Sequence, residues 1–266
     1  MTIDGLIAEV QHGRCGPDPE GLPVVGAFWV RQSTQFPGTH QKYRNYYLLF
    51  RVGASFGACC VERDQLDSAV AEEMSGQSVG ALLRDDRLPV RIAALDAYFA
   101  AVYPHAHAVA ASAFMLPRGT PADRAVARDD AIASLLPIEA GQRVGLIGVV
   151  NPLVAAIRRC GGTCLPCDFN MGRTLDGQPV AKDMMPILEE ADLIIATGMT
   201  LSNGSFDQIL TVVRRREIPL VMYAQTGSAI AARFVGQGVS ALSAEPFPFS
   251  QFSAEPTPIY LYRAEQ

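Results

Sequence analysis

Residues 191–210 read ADLIIATGMTLSNGSFDQIL. The apolar run Leu193-Ile194-Ile195-Ala196 has the length of a buried strand. Small hydroxyl and amide residues follow (Thr197, Gly198, Thr200, Ser202, Asn203, Gly204 and Ser205), and a helical pattern starts at Ser205. Strand, polar loop and helix form the repeating unit of open α/β sheets, which bind ligands outside the carboxyl ends of their strands. Thr, Ser and Asn side chains at such an end offer hydrogen bonds, and a new helix offers free N–H groups.

The same alternation extends on both sides. Upstream, 143–150 (RVGLIGVV) reads as a buried strand, 152–160 as a helix capped by Asn151, 163–169 as a strand and 181–191 as a helix. Downstream, 205–216 reads as a helix, 219–224 (PLVMYA) as a strand and 228–235 as a helix. Stretches 239–243 and 259–262 are expected as late edge strands. Apolar strands alternating with helices predict a doubly wound, mostly parallel sheet.

The N-terminal segment is patterned differently. Aromatic and β-branched runs at 24–31, 44–53 and 56–62 predict strands, the last two joined as a hairpin through Gly53-Ala54-Ser55. Helices are expected at 64–74 and at 89–102, where Ile92, Leu95, Phe99 and Val102 share a face. Strands followed by helices make an α+β unit. Pro117-Arg118-Gly119-Thr120-Pro121 is the boundary candidate, with Thr120 as the cap of the next helix. The expected division is therefore an α+β domain at 1–117 and an α/β domain at 118–266.

A chain of 266 residues with 49% hydrophobic and 18% charged residues has the composition of an ordinary globular protein. Its net charge of −5, with the basic residues dispersed, argues against a nucleic-acid or anionic-membrane partner. The opening MTIDGLIAEVQHG lacks a basic segment followed by a long apolar core, so a cytoplasmic setting with reduced cysteines is expected.

Candidate chemistry gathers at the strand ends. Gly148 closes the first strand of the alternating region, Asn151 follows, and Asp168 ends the second strand, where nucleotide enzymes place a ribose-binding acid. The full G-x-G-x-x-G fingerprint is absent, so the glycines are read first as packing residues. A second polar turn, Tyr223-Ala224-Gln225-Thr226-Gly227-Ser228, ends the fourth strand and is expected to line one crevice with the Thr197–Ser205 loop.

Cys160, Cys164 and Cys167 have C-x3-C-x2-C spacing, but positions three apart on a strand face opposite ways. They are read as buried small hydrophobes. His105 and His107 fall at a helix-to-strand connection and are read as structural. His40, in a polar loop, is a weaker cleft candidate, and Asp129-Asp130 and Glu189-Glu190 are read as solvated helix faces. No G-x-S-x-G, H-E-x-x-H or Walker A sequence occurs.

These segments resemble the heavy-metal chelation family of bacteria and archaea. Its members carry T-G-x-T-L-x-N-x-[ST] opening a helix after a strand, matched here by Thr197, Gly198, Thr200, Leu201, Asn203 and Ser205. VGLIGVVNPLV is similar to the family's first Rossmann-like strand and helix, and GSAIAARFVGQGVSAL to a later segment. The resemblance implies an enolase-N-terminal-like domain followed by a Rossmann-like domain, with a site in the cleft between them. Where many members have Gly-Pro-Thr or Gly-Pro-Ser, this chain has Ala224-Gln225-Thr226.

The expected site residues are thus Gly148, Asn151, Asp168, Thr197, Gly198, Thr200, Asn203, Ser205, Gln225 and Thr226. Hydroxyls, amides and backbone N–H groups suit an anion, so the expected ligand is a small anionic molecule or a metal complex of one. A metal ion would enter as a component of that ligand. The alternatives are an enzyme using a nucleotide or S-adenosylmethionine at the Gly148 turn, and a partner-binding subunit. A homodimer is compatible with the chain.

Overall fold

The computed structural model describes residues 1–35 and 42–265. In chain order the elements are α1 (Ile3–Gln11), β1 (Gly26–Gln35), β2 (Lys42–Val52), β3 (Ser55–Val61), α2 (Val70–Met74), α3 (Val79–Leu82), α4 (Leu88–Val102), β4 (Ala111–Leu116), α5 (Pro121–Ala133), β5 (Arg143–Ile147), α6 (Asn151–Arg159), β6 (Thr163–Cys167), α7 (Met185–Glu190), β7 (Leu193–Thr197), α8 (Met199–Ser202), α9 (Phe206–Arg216), β8 (Leu220–Ala224), α10 (Ser228–Ala232), β9 (Ala241–Ala244) and β10 (Thr257–Arg263).

β1, β2 and β3 form an antiparallel sheet, and Val52 pairs with Ser55 across the Gly53-Ala54 turn. Gly53 takes a positive φ of 57°, which a side chain would resist. Alternation sends the sheet's side chains to two cores. Leu48, Phe50, Val52, Cys59 and Val61 join the main core with α4. Tyr47, Leu49, Ala58 and Cys60 pack with Phe249, Phe247 and Met199 from the C-terminal half. The small sheet is therefore covered on both faces, by its own helix and by the rest of the molecule.

The second sheet has the order β4-β10-β9-β8-β7-β5-β6. The run β6-β5-β7-β8-β9 is parallel, and β10 is antiparallel to both neighbours. Helices cover both faces: α6 residues Leu153, Val154 and Ile157 pack with Val144 and Leu146, while α9 residues Ile209, Leu210 and Val213 pack with Ile194, Ala196 and Met222. This is the doubly wound α/β arrangement that the strand-helix alternation predicts.

Several local expectations are corrected. The helix expected at 64–74 is only Val70–Met74, and that expected at 181–191 is only Met185–Glu190. β9 and β10 are interior strands rather than edges, because β4 covers β10. β4 carries no sequence signal: Ser112, Ala113, Phe114 and Met115 are exposed, so no buried alternation marks it. It also lies ahead of the Pro117 turn, so the large sheet draws one strand from that side. α1 likewise lacks a signal; Thr2 caps it, and the Asp207 carboxylate accepts its Ile3 N–H at 3.1 Å. Thr120 caps α5 in a reciprocal capping box with Asp123, as expected.

His105 sits in a short 3-10 turn before β4, buried, 2.6 Å from the Tyr262 hydroxyl and stacked on Tyr260. Burial lowers its pKa to about 4. A base whose folded pKa lies below its unfolded value of about 6.5 destabilises the fold as pH drops through that window. Unfolding free energy is therefore expected to fall between about pH 6.5 and about pH 4. His105→Phe should flatten that acid limb in denaturant melts run at stepped pH.

Candidate functional site

β5 is central to the site because the chain leaves it in both directions. β6 lies on one side of β5 and β7 on the other, so the carboxyl ends of these strands diverge around a topological switch point, where open α/β sheets bind ligands. A cavity of about 70 Å³ opens there. Its walls are Ile147 and Gly148 at the end of β5, Cys167 to Asn170 at the end of β6, Met184 before α7, and Thr197, Met199, Thr200, Asn203 and Ser205 at and beyond the end of β7, with Glu62 just past β3.

Six of the residues expected from sequence thus converge: Gly148, Asp168, Thr197, Thr200, Asn203 and Ser205. Gly148 adopts φ +83°; its N–H donates to the Cys167 carbonyl at 2.9 Å, and its carbonyl accepts the Tyr223 hydroxyl at 2.7 Å. Asp168 organises the β6 exit. One oxygen accepts the Val149 N–H at 2.9 Å, and the other accepts those of Asn170 and Met171 at 2.7 and 2.9 Å. Lys182 donates to the carbonyls of Asp168, Phe169 and Met171 at 2.8–2.9 Å, closing the loop from the other side. Asn170 Nδ2 donates to Glu62 Oε2 at 3.3 Å and joins the loop to the N-terminal sheet.

The Thr197–Ser205 segment differs from the expected open polar loop. It folds at once into α8, and two of its hydroxyls turn inward: Thr200 Oγ1 donates to the Thr197 carbonyl at 2.8 Å and Ser202 Oγ to that of Met199 at 2.9 Å. Short side chains that satisfy the preceding turn in this way compete poorly for a ligand. Asn203 Oδ1 accepts from the N–H and hydroxyl of Ser205 at 3.1 and 2.7 Å.

Four expected residues lie outside the cavity. Asn151 does not cap α6; it is the first helical residue, and its Oδ1 accepts the Leu175 N–H at 2.8 Å. Gly198 is packed against the β8 exit. Gln225 and the buried Thr226 do not share the crevice, because β8 is one strand beyond the switch point. Gln225 Nε2 instead donates to Glu245 Oε2 and Gln251 Oε1, both at 2.9 Å. Gln251 continues this network to Gln32 and Tyr47 of the N-terminal sheet at 3.5 and 3.4 Å. Glu245 and Gln251 carry no sequence signal.

Cys164 and Cys167 are buried on different sides of β6, as the strand argument requires, whereas exposed Cys160 corrects the buried reading. Cys164 enters the core cluster with α6, Cys167 the one with α7, and Cys160 is exposed. Among the described residues, no three His, Cys, Asp or Glu side chains converge to hold a metal. Asp129 corrects the solvated-face reading: it is buried and pairs with Arg128 at 2.9 Å. Asp130, Glu189 and Glu190 are exposed as expected. His40 lies outside the described residues. No helix among them is long and apolar enough to cross a membrane.

Fold and cavity together define a class: an α/β protein of Rossmann-like topology, joined to an antiparallel N-terminal unit, with its cavity at the switch point. Residues 130–244, somewhat less than half of the chain, match the model of the DUF364 family, described as "Putative heavy-metal chelation". Every cavity-lining residue except Glu62 falls inside this stretch. A DUF364-family protein of unknown function from Desulfitobacterium hafniense DCB-2 superposes with a TM-score of 0.60 at 13% identity, covering 98% of this chain and 96% of its own. Another, from Pyrococcus horikoshii, gives 0.59 at 15% identity over 99% and 100%. At such identities the likeness shows the fold. No curated protein matches the chain.

Proposed function

We propose that this protein binds a metal ion together with a small anionic ligand in the switch-point cavity, in keeping with the matched family's description. The observation that carries this reading is the convergence of the β5, β6 and β7 ends on one cavity that also receives Glu62 from the N-terminal unit. The donor chemistry favours a complex over a free anion. Glu62 brings a carboxylate and Asp168 adds negative charge although backbone N–H groups engage its oxygens, and no Lys or Arg lines the cavity. A bare anion would meet negative charge, whereas a metal ion would neutralise it and leave amide and backbone groups for its small ligand.

The nucleotide or S-adenosylmethionine reading has less support. Pockets for molecules of that size run to about 300–1,000 Å³, against about 70 Å³ here. Asp168, the residue that reading would place on a ribose, already has both oxygens engaged by backbone N–H groups.

Equilibrium dialysis against first-row divalent ions and Cu+, each alone and with citrate, followed by metal analysis, tests the proposal. Near-stoichiometric retention that falls at least about tenfold in Asn203→Leu is expected, because the larger apolar side chain enters the cavity. Retention of no metal by the folded wild type, or retention unchanged in Asn203→Leu, would overturn it.

A further inference from the structure

The seven-stranded sheet has two edges and treats them differently. At the β6 edge Pro166 offers no N–H, and the segment ending at Ala181 covers the strand. The Ala181 N–H donates to the Pro166 carbonyl at 2.9 Å, and Gln178 Nε2 donates to that of Cys164 at 2.8 Å. The β4 edge has no such device among the described residues. β4 pairs with β10 alone, Ser112 to Met115 are exposed, and 109–116 (VAASAFML) holds no charge and no proline. An uncharged, exposed edge is a template for another strand.

This edge is complementary to itself. Its first half is small (Ala110, Ala111, Ser112, Ala113) and its second half large (Phe114, Met115, Leu116). Residues paired across β4 and β10 share a face, so Ser112 and Phe114 lie with Leu261 and Ile259 on the α5 side, and Ala111 and Met115 on the other. On the α5 side a groove of about 390 Å³ opens beside the small half, with Ala110, Ser112, Leu135, Leu261 and Arg263 among its walls. A two-fold antiparallel pairing centred on Ala113 sets Phe114 of one copy opposite Ser112 of the other, at that groove. It also sets Met115 opposite Ala111 and Leu116 opposite Ala110. Large side chains then meet small ones in both halves, the faces stay aligned, and no like charges are opposed along the strand. A size gradient that reverses along the strand fits an antiparallel copy of that same strand.

We infer that β4 is the interface of a homodimer, in which two copies of this chain join their large sheets by antiparallel β4–β4 pairing about a two-fold axis at Ala113. Such an interface is isologous: main-chain hydrogen bonds give it register, and burial of Phe114 and Met115 adds to its affinity. Four strands separate β4 from β5, so each copy keeps its own switch-point cavity, and the inference is independent of what that cavity binds.

Sedimentation velocity of the full chain over a series of micromolar concentrations tests this. The wild type is expected to sediment as a species of twice 28.6 kDa. Ala113→Lys, at an exposed position, sets two lysines opposite each other and is expected to weaken dimerisation at least about tenfold. Ala113→Glu alone is expected to do the same. Mixing the two variants is expected to restore the dimer, because residue 113 meets its own counterpart at the axis and opposite charges then pair. Circular dichroism checks that each variant is folded. A wild type that stays monomeric throughout the series, a dimer that Ala113→Lys leaves intact, or folded variants that do not recombine on mixing would each overturn the inference.

Discussion

Asp96→Ala is expected to lower the unfolding free energy by about 4 kcal/mol, because it would leave buried N–H donors without acceptors in both halves of the molecule. Asp96 lies in the middle of α4 and is buried. Its Oδ2 accepts the Ala58 N–H of β3 at 2.8 Å. Its Oδ1 accepts the N–H groups of Ala229 and Ile230, at 2.8 and 3.3 Å, in the first turn of α10. The carboxylate thus meets the free donors that every helix start presents, and it complements the positive end of the helix dipole.

Burial raises the Asp96 pKa to about 7, and those N–H groups pull it back down. An amide would turn one acceptor into a donor facing N–H groups, so Asp96→Asn should lose about 2 kcal/mol rather than restore the contact. Urea unfolding of the three proteins, compared at constant m-value, measures the series. Wild-type stability in Asp96→Ala would refute the role assigned to this side chain.

Asp96 also marks what the sequence could and could not disclose. The strands β5 to β8 are legible because each is a short apolar run bounded by Gly, Pro or polar residues, a pattern that depends on neighbours in the chain. The switch-point cavity is legible for the same reason: Gly148, Asp168 and Thr197 are strand-end residues, and topology alone brings strand ends together. Asp96 reads as one polar residue in an apolar helix, since its partners are 38 and 133 residues away.

Met184 is equally silent, one apolar residue of an expected helix until the fold brings it to the cavity that Met199 also lines. That Gln225 lies outside the cavity has a topological cause. A turn pattern identifies a strand end but not how many strands separate it from another. β4 escapes notice because an edge strand with exposed side chains lacks the alternation that betrays a half-buried one.

The glycine of the Thr-Gly-x-Thr-Leu segment supplies the second large effect. Gly198→Ala is expected to cost about 3 kcal/mol through overpacking and to reduce metal retention along with stability. Its backbone is ordinary, φ −59° and ψ −19°, so no left-handed conformation demands glycine. The demand is spatial. A Cβ at Gly198 would run into the Thr226 carbonyl oxygen and stand 3.0 Å from the Ala224 Cβ. The exits of β7 and β8 are pressed together there, with the Gly198 N–H donating to the Tyr223 carbonyl at 2.9 Å.

The crowding atom at Thr226 is main chain, so no rotamer change can relieve it, and the substitution must push the β7 and β8 exits apart. The displaced turn continues into Gly227, whose N–H donates to the Ala58 carbonyl at 2.9 Å, and into the α10 start held by Asp96. The strain therefore reaches the joint between the N-terminal sheet and the α/β sheet, as well as the α8 wall of the cavity. Gly204→Ala is the control: φ is +79°, but the nearest atom to a Cβ is Leu88 Cδ2 at 3.6 Å. Only the left-handed penalty of about 1 kcal/mol applies there. Chemical denaturation and metal dialysis on both variants separate the two effects. Equal losses at the two positions would show that main-chain crowding at Gly198 is not what the motif glycine relieves.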